Sequence, residues 1–153
     1  MPRSVVARAR PTALTFGLAI VVAAVGLSGC SSGGSAAVGT RVVVVEHDFK
    51  ITTSTITVPA GTVTLEVENH GPSTHEMNID ETSAGAGALP LRANSLQVNE
   101  DSPSLRNVGS LSGVRVGATQ DLTLHLTPGR YVLFCNLEGH YLGGMHVALQ
   151  VTA

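Results

Sequence analysis

Hydrophobic and polar positions in this chain alternate more often than they recur at helical spacing. In "TVTLEVEN" Val63, Leu65 and Val67 are separated by Thr64, Glu66 and Glu68, which predicts a strand with one buried and one wetted face. "DLTLHLT" repeats the pattern with Leu122, Leu124 and Leu126, and "MHVALQV" does so with Met145, Val147, Leu149 and Val151. "RVVVVEHDF" is instead a continuous β-branched run, as expected of a strand buried on both faces. "ITTSTITV" reads as a further strand. Turn residues separate these runs, with "PAG" at Pro59 to Gly61 and "PGR" just ahead of "YVLFC". Short strands between turn signals, with no long helical period, predict an all-β sandwich.

Residues 81–119 break the pattern, being rich in Gly, Ala and Ser with weak periodicity. Within them "DSPSLRNVG" places Ser102 as an N-cap, Pro103 at a first helical position and Gly109 as a stop, so one short helical insertion is expected. The neighbouring Glu100–Asp101 pair lacks the oxygen-ligand spacing of a calcium loop and reads as solvated surface. No internal repeat is evident.

The N-terminus follows a different logic. Arg3, Arg8 and Arg10 precede "ALTFGLAIVVAAVGL", an apolar run of 15 residues, and then "LSGC" ending at Cys30. That is the layout of a secretory signal over residues 1–29. "LSGC" also resembles a bacterial lipobox, which implies that Cys30 is lipidated and becomes the mature N-terminus. An uncleaved anchor is the alternative, although the run is short for a membrane span and leaves the cysteine unexplained. No two arginines are adjacent, so a twin-arginine route is not signalled. Residues 30–40 are uncharged and Ser/Gly-rich, a flexible tether, and residues 41–153 suffice for one domain with its own core. The expected location is outside the cell, on the outer face of the cytoplasmic membrane.

Removal of the signal changes the charge. Of 9 basic residues 3 lie in it, leaving 6 against 11 acidic residues and a net charge of −5. Such a domain is not expected to bind nucleic acid or anionic lipid directly. With Cys30 committed to lipid, Cys135 is a lone thiol with no internal disulfide partner, and it needs another purpose.

"CNLEGHYLGGM", residues 135–145, supplies that purpose by setting Cys135, His140 and Met145 at a strand–loop–strand junction. Taken singly, a methionine is ordinary core, a buried cysteine a small hydrophobe, and a turn histidine a surface residue. All three within 11 residues of a chain that has 2 cysteines and 3 methionines point to a metal site. "NHGPSTHEMNI" offers a fourth donor, His75, opening a strand at the same pole. Two imidazoles and a thiolate suit zinc or copper, but a thioether suits copper as a weak axial ligand. A catalytic zinc would leave Met145 without a role. A dinuclear copper–thiolate centre needs a second cysteine in this loop, which is absent.

"YVLFCNLEGHYLGGMHVALQV" resembles the ligand loop of the cupredoxin family, and its Cys-x4-His-x4-Met spacing is similar to the rusticyanin and sulfocyanin branch. "ENHGPSTHEM" resembles the upstream ligand segment. The resemblance implies a Greek-key β-sandwich holding one type 1 (blue) copper ion, Cu(I)/Cu(II), through His75, Cys135, His140 and Met145, and carrying single electrons rather than catalysing a reaction. A copper-delivery lipoprotein without an electron-transfer role is the rival. Oxidases and nitrite reductases need more copper sites and many more than the 6 histidines present.

Two positions depart from the family pattern. Glu138 stands where many relatives have proline, and Glu76 where plastocyanin-like proteins have an asparagine after the first ligand histidine. Glu76 is expected to pair with Asn136 and brace the site from outside. Leu137, Tyr141, Leu142, Gly143 and Gly144 are expected to form an apolar rim around a surface-reaching His140, where a redox protein docks on a monomer. His146 should point away from Met145, His70 should lie in a surface loop, His47 and His125 should face solvent, and Met77 should be core beneath the site.

Overall fold

A computed structural model describes residues 39–93 and 95–153. The signal segment, Cys30 and the tether up to residue 38 lie outside the described residues. The described residues form nine strands: β1 (Thr40–His47), β2 (Lys50–Thr53), β3 (Thr57–Pro59), β4 (Gly61–Asn69), β5 (His75–Glu81), β6 (Arg106–Val114), β7 (Thr119–Leu126), β8 (Gly129–Phe134) and β9 (His146–Thr152). One sheet has the order β2-β1-β4-β7 and the other β3-β9-β8-β5-β6. β1 runs parallel to β4, and β3 parallel to β9; the remaining pairs are antiparallel. The expected all-β sandwich is present.

Alternation explains the core. Val63, Leu65 and Val67 of β4 and Val42 and Val44 of β1 turn inward, where they meet Met77 and Ile79 of β5, Leu133 of β8, and Leu149 and Val151 of β9. Each fully buried side chain of this size stabilises the fold by about 1.5–3 kcal/mol through removal from water. β1 differs from the expectation of burial on both faces: Val43 and Val45 are only half-buried because that face of the sheet meets solvent.

The run "ITTSTITV" is not one strand. The Ser54 hydroxyl accepts a hydrogen bond from Val43 N (3.0 Å), and there the chain leaves the first sheet to enter the second as β3. The expected helical insertion is also corrected, since no helix occurs among the described residues. Ser102 instead starts a turn closed by Leu105 N donating to Ser102 O (3.0 Å), a role that proline at the next position serves equally well. Gly109 is no helix stop but lies within β6, opposite Ile79. β6 is an edge strand whose residues are mostly exposed, so it carries no hydrophobic alternation to betray it.

Residues 82–105 form a long loop folded over the outer face of the second sheet. Leu89 and Val98 from the loop cover Val132 and Phe134 of β8 and the ring of Tyr141, making a second small core. β8 is thereby buried on both faces.

On the inward face of β1 the apolar alternation ends on a carboxyl side chain. Glu46 follows Val42 and Val44 on the inward face of β1, is fully buried, and neither carboxylate oxygen has a hydrogen-bond partner. Burial, with the nearby charge of Glu76, pushes its carboxyl up to about 8. The folded state therefore keeps a proton that the unfolded chain releases above its ordinary value of 4.5. Stability from this group is complete below that pH and is lost as pH rises toward about 8. Urea denaturation of the metal-free protein is expected to show that decline, and Glu46→Gln to flatten it. An unchanged slope in the variant would assign the decline to another group.

Candidate metal centre

Three sequence-predicted donors meet at one end of the sandwich. His75 opens β5, Cys135 directly follows β8, and His140 sits in the loop between β8 and β9. Their donor atoms all lie within 4.8 Å of one another. Cys135 Sγ is 4.0 Å from His75 Nδ1 and 3.7 Å from His140 Nδ1, and the two imidazole rings are 5.2 Å apart at 63°. Cys135 and His75 are buried and His140 is half-buried. Met145 is fully buried in the same core cluster as Cys135. Its backbone ties the set together: Cys135 N donates to Met145 O (3.1 Å), and Met145 N to His140 O (3.0 Å).

Hydrogen bonds beyond the donors hold this arrangement. His75 turns its other nitrogen, Nε2, toward Asp48 Oδ1 at 3.1 Å, off the angle of a proper hydrogen bond, so the contact is electrostatic. Burial raises the Asp48 carboxyl, but hydrogen bonds from the Ser73 hydroxyl and Ser73 N–H, with the nearby histidines, bring it below its ordinary value. Burial depresses the His75 imidazole, and Asp48 partly restores it. The neutral ring that a metal requires is therefore favoured. Gly71 is required by contact: a Cβ there would sit 2.8 Å from His75 Nε2 and 2.9 Å from Asp48 N. Asn69 shapes that turn by accepting from Gly71 N (2.8 Å) and donating to Ser73 O and Val114 O (both 2.8 Å).

The expected brace exists in altered form. Glu76 Oε1 accepts from the backbone N–H of Asn136 (2.9 Å), not from its side chain. The Asn136 amide is committed to the long loop, accepting from Val98 N (2.6 Å) and donating to Val98 O (3.2 Å). Tyr141 is the second clamp. Its hydroxyl donates to Ala86 O (2.7 Å) and accepts from Leu89 N (2.8 Å). Tyr141 is thus buried against Phe134, and its expected place on the apolar rim is corrected: a phenol with two buried backbone partners stays inside.

Phe49 is the residue that sequence reasoning missed. It occupies the β1–β2 turn with a positive φ of 62°, a conformation in which a bulky side chain is strained. Its ring lies 5.2 Å from that of His140, half exposed, and a Cβ on Gly143 would run into it. Leu142 is also half exposed, so Phe49, Leu142, Gly143 and Gly144 are the exposed residues of the rim, while Leu137, also expected there, is half-buried against the core. No local signal in "EHDFK" marks Phe49, because its neighbour comes from a loop about ninety residues away. The other histidines lie as expected: His47, His70 and His125 are exposed, and His146 packs on Tyr141, away from the donors.

The donor chemistry fits copper. Burial pushes the Cys135 thiol up to about 11, opposed by the backbone N–H groups of Glu76 and Leu137, so without a cation it stays protonated at neutral pH. A cation that binds must displace that proton, which a soft thiolate-seeking ion does best. Two imidazole nitrogens and one thiolate beside a buried thioether are the donors of a type 1 copper centre. Replacing Asn136 with Ala strands both polar groups of Val98, and a loss of about 2 kcal/mol in denaturant unfolding is expected. A change within a few tenths would mean the clamp contributes little.

Known proteins share the fold of this chain. Residues 17–147 match the family model of the cupredoxin-like domain. Auracyanin from Roseiflexus castenholzii is similar in structure, at 21% identity and a TM-score of 0.53 over 75% of this chain and 98% of that one. Auracyanin B is similar at 24% identity and 0.54 over 74% and 89%. Reduced rusticyanin is similar at 22% identity and 0.55 over 74% and 81%. No curated protein sequence matches. The solved structures share the fold, the family match spans most of the sequence, and on that basis the chain belongs to the cupredoxin-like domain family.

Proposed function

We propose that this protein is a type 1 copper protein that carries single electrons at the outer face of the cell membrane, held there by lipid on Cys30. His75, Cys135 and His140 are the strong ligands in this reading, and Met145 the weak one. When bound, copper supplies a one-electron couple between Cu(I) and Cu(II). The observation that carries the reading is the convergence of two imidazoles and a buried thiol within 4.8 Å.

The rest of the chain serves low rearrangement. Asp48 and Glu76 fix the His75 and Cys135 segments from outside, while Asn136 and Tyr141 pin the ligand loop to residues 86–98. Donors held this way keep nearly the same positions in both charge states, which favours fast transfer. His140, half-buried against the ring of Phe49, is the point of closest approach for a redox protein that docks briefly on the apolar rim.

Voltammetry of the copper-loaded protein is expected to show a reversible one-electron couple. Irreversible loss of the ion to an acceptor, with no such couple, would favour copper delivery instead. Leu142→Asp is expected to slow electron exchange with a partner severalfold and to leave the visible absorption of the copper unchanged. Bleaching in that variant would make Leu142 a structural part of the site.

A further inference from the structure

Two further histidines stand side by side near the copper end of the first sheet. β1 and β4 run parallel with Glu46 opposite Asn69, and His70 N donates to Glu46 O (2.9 Å), carrying the ladder one step past the strands. His47 and His70 therefore leave adjacent strands together, exposed, with rings 5.7 Å apart at 87°. The ring centroids of the imidazole pair at the metal centre are 5.2 Å apart, so those of the surface pair are only 0.5 Å wider. A small rotation of exposed side chains closes that difference.

A carboxylate completes the resemblance between the two pairs. Glu68 lies two residues before His70 on the same strand face, and its Oε2 is 2.9 Å from His70 Nε2. His75 has Asp48 in the same relation, 3.1 Å from its Nε2. In both places a carboxylate stands close to the far nitrogen, Nε2, and leaves Nδ1 as the donor atom, the side on which carboxylates accompany histidine ligands of metals. Lys50 pairs with His47 across the β1–β2 hairpin, but it is exposed and its flexible stem lets the ammonium stand off.

We propose that His47 and His70, oriented by Glu68, form a second, surface site for one divalent transition-metal ion of the kind that prefers imidazole: Cu²⁺, Zn²⁺ or Ni²⁺. Water completes the coordination of an ion held there. The site adjoins the buried centre, because Asp48, next to His47 in the chain, touches His75. A domain of net charge −5 draws such cations to its surface. This inference does not depend on the electron-carrier reading.

Calorimetric titration of Zn²⁺ into the copper-loaded protein tests it. One Zn²⁺ per chain is expected to bind while the visible absorption of the copper stays constant. His47→Gln and His70→Gln, both exposed and harmless to folding, should each abolish saturable binding, and Glu68→Gln should weaken it about tenfold. Three results would overturn the site: no saturable heat at millimolar Zn²⁺, binding that survives in the His47→Gln/His70→Gln double variant, or copper absorption that bleaches as zinc is added. The last would place zinc in the buried centre.

Discussion

A buried thiol, a buried imidazole and a half-buried one within 4.8 Å of one another are a costly arrangement without a cation between them. Cys135 is desolvated enough to hold its proton up to about 11, and His75 Nε2 lacks a well-aligned partner. A soft cation relieves the first by replacing the thiol proton and engaging Nδ1 of the imidazoles, while Nε2 of His75 stays beside Asp48. Other features of this pole read as devices that hold the donors ready. Asp48 backs His75, Glu76 secures the backbone after Cys135, and the Met145 backbone bridges to both Cys135 and His140.

The sandwich provides rigidity, and the long loop adds specificity of shape. Residues 82–105 have little periodicity and, among the described residues, a single isolated bridge, Leu91 to Val98, yet they supply backbone partners to Asn136 and Tyr141. Loops of this length without regular structure are uncommon in compact domains and usually serve function. Here the service is mechanical: the ligand loop is clasped from outside while its donors face inward. Phe49 pays for its contact with His140 through a strained backbone, which marks the β1–β2 turn as part of the site, not a mere connection.

The legible parts of the sequence were those where one face is buried and the other is wet. β4 and β7 announce themselves through strict alternation, and Cys135, His140 and Met145 through the rarity of their types. β6 was hidden because an exposed edge strand has no hydrophobic face to pattern. Ser102-Pro103 misled because a turn and a helix start reward the same residues. Glu46 and Phe49 could not be placed from their neighbours in the chain, since one is defined by the sheet that covers it and the other by a distant loop. The sequence points Tyr141 outward because it shows the apolar neighbours but not the carbonyl of Ala86 that draws the hydroxyl inside.

The most direct measurement is the absorption spectrum of the oxidised, copper-loaded protein beside that of Cys135→Ser. Intense absorption at about 600 nm in the native chain, absent from the variant, is the expected result and reports a thiolate bound to copper in a trigonal His₂Cys field. A pale spectrum in both, with copper bound, would contradict the convergence of these donors on one ion.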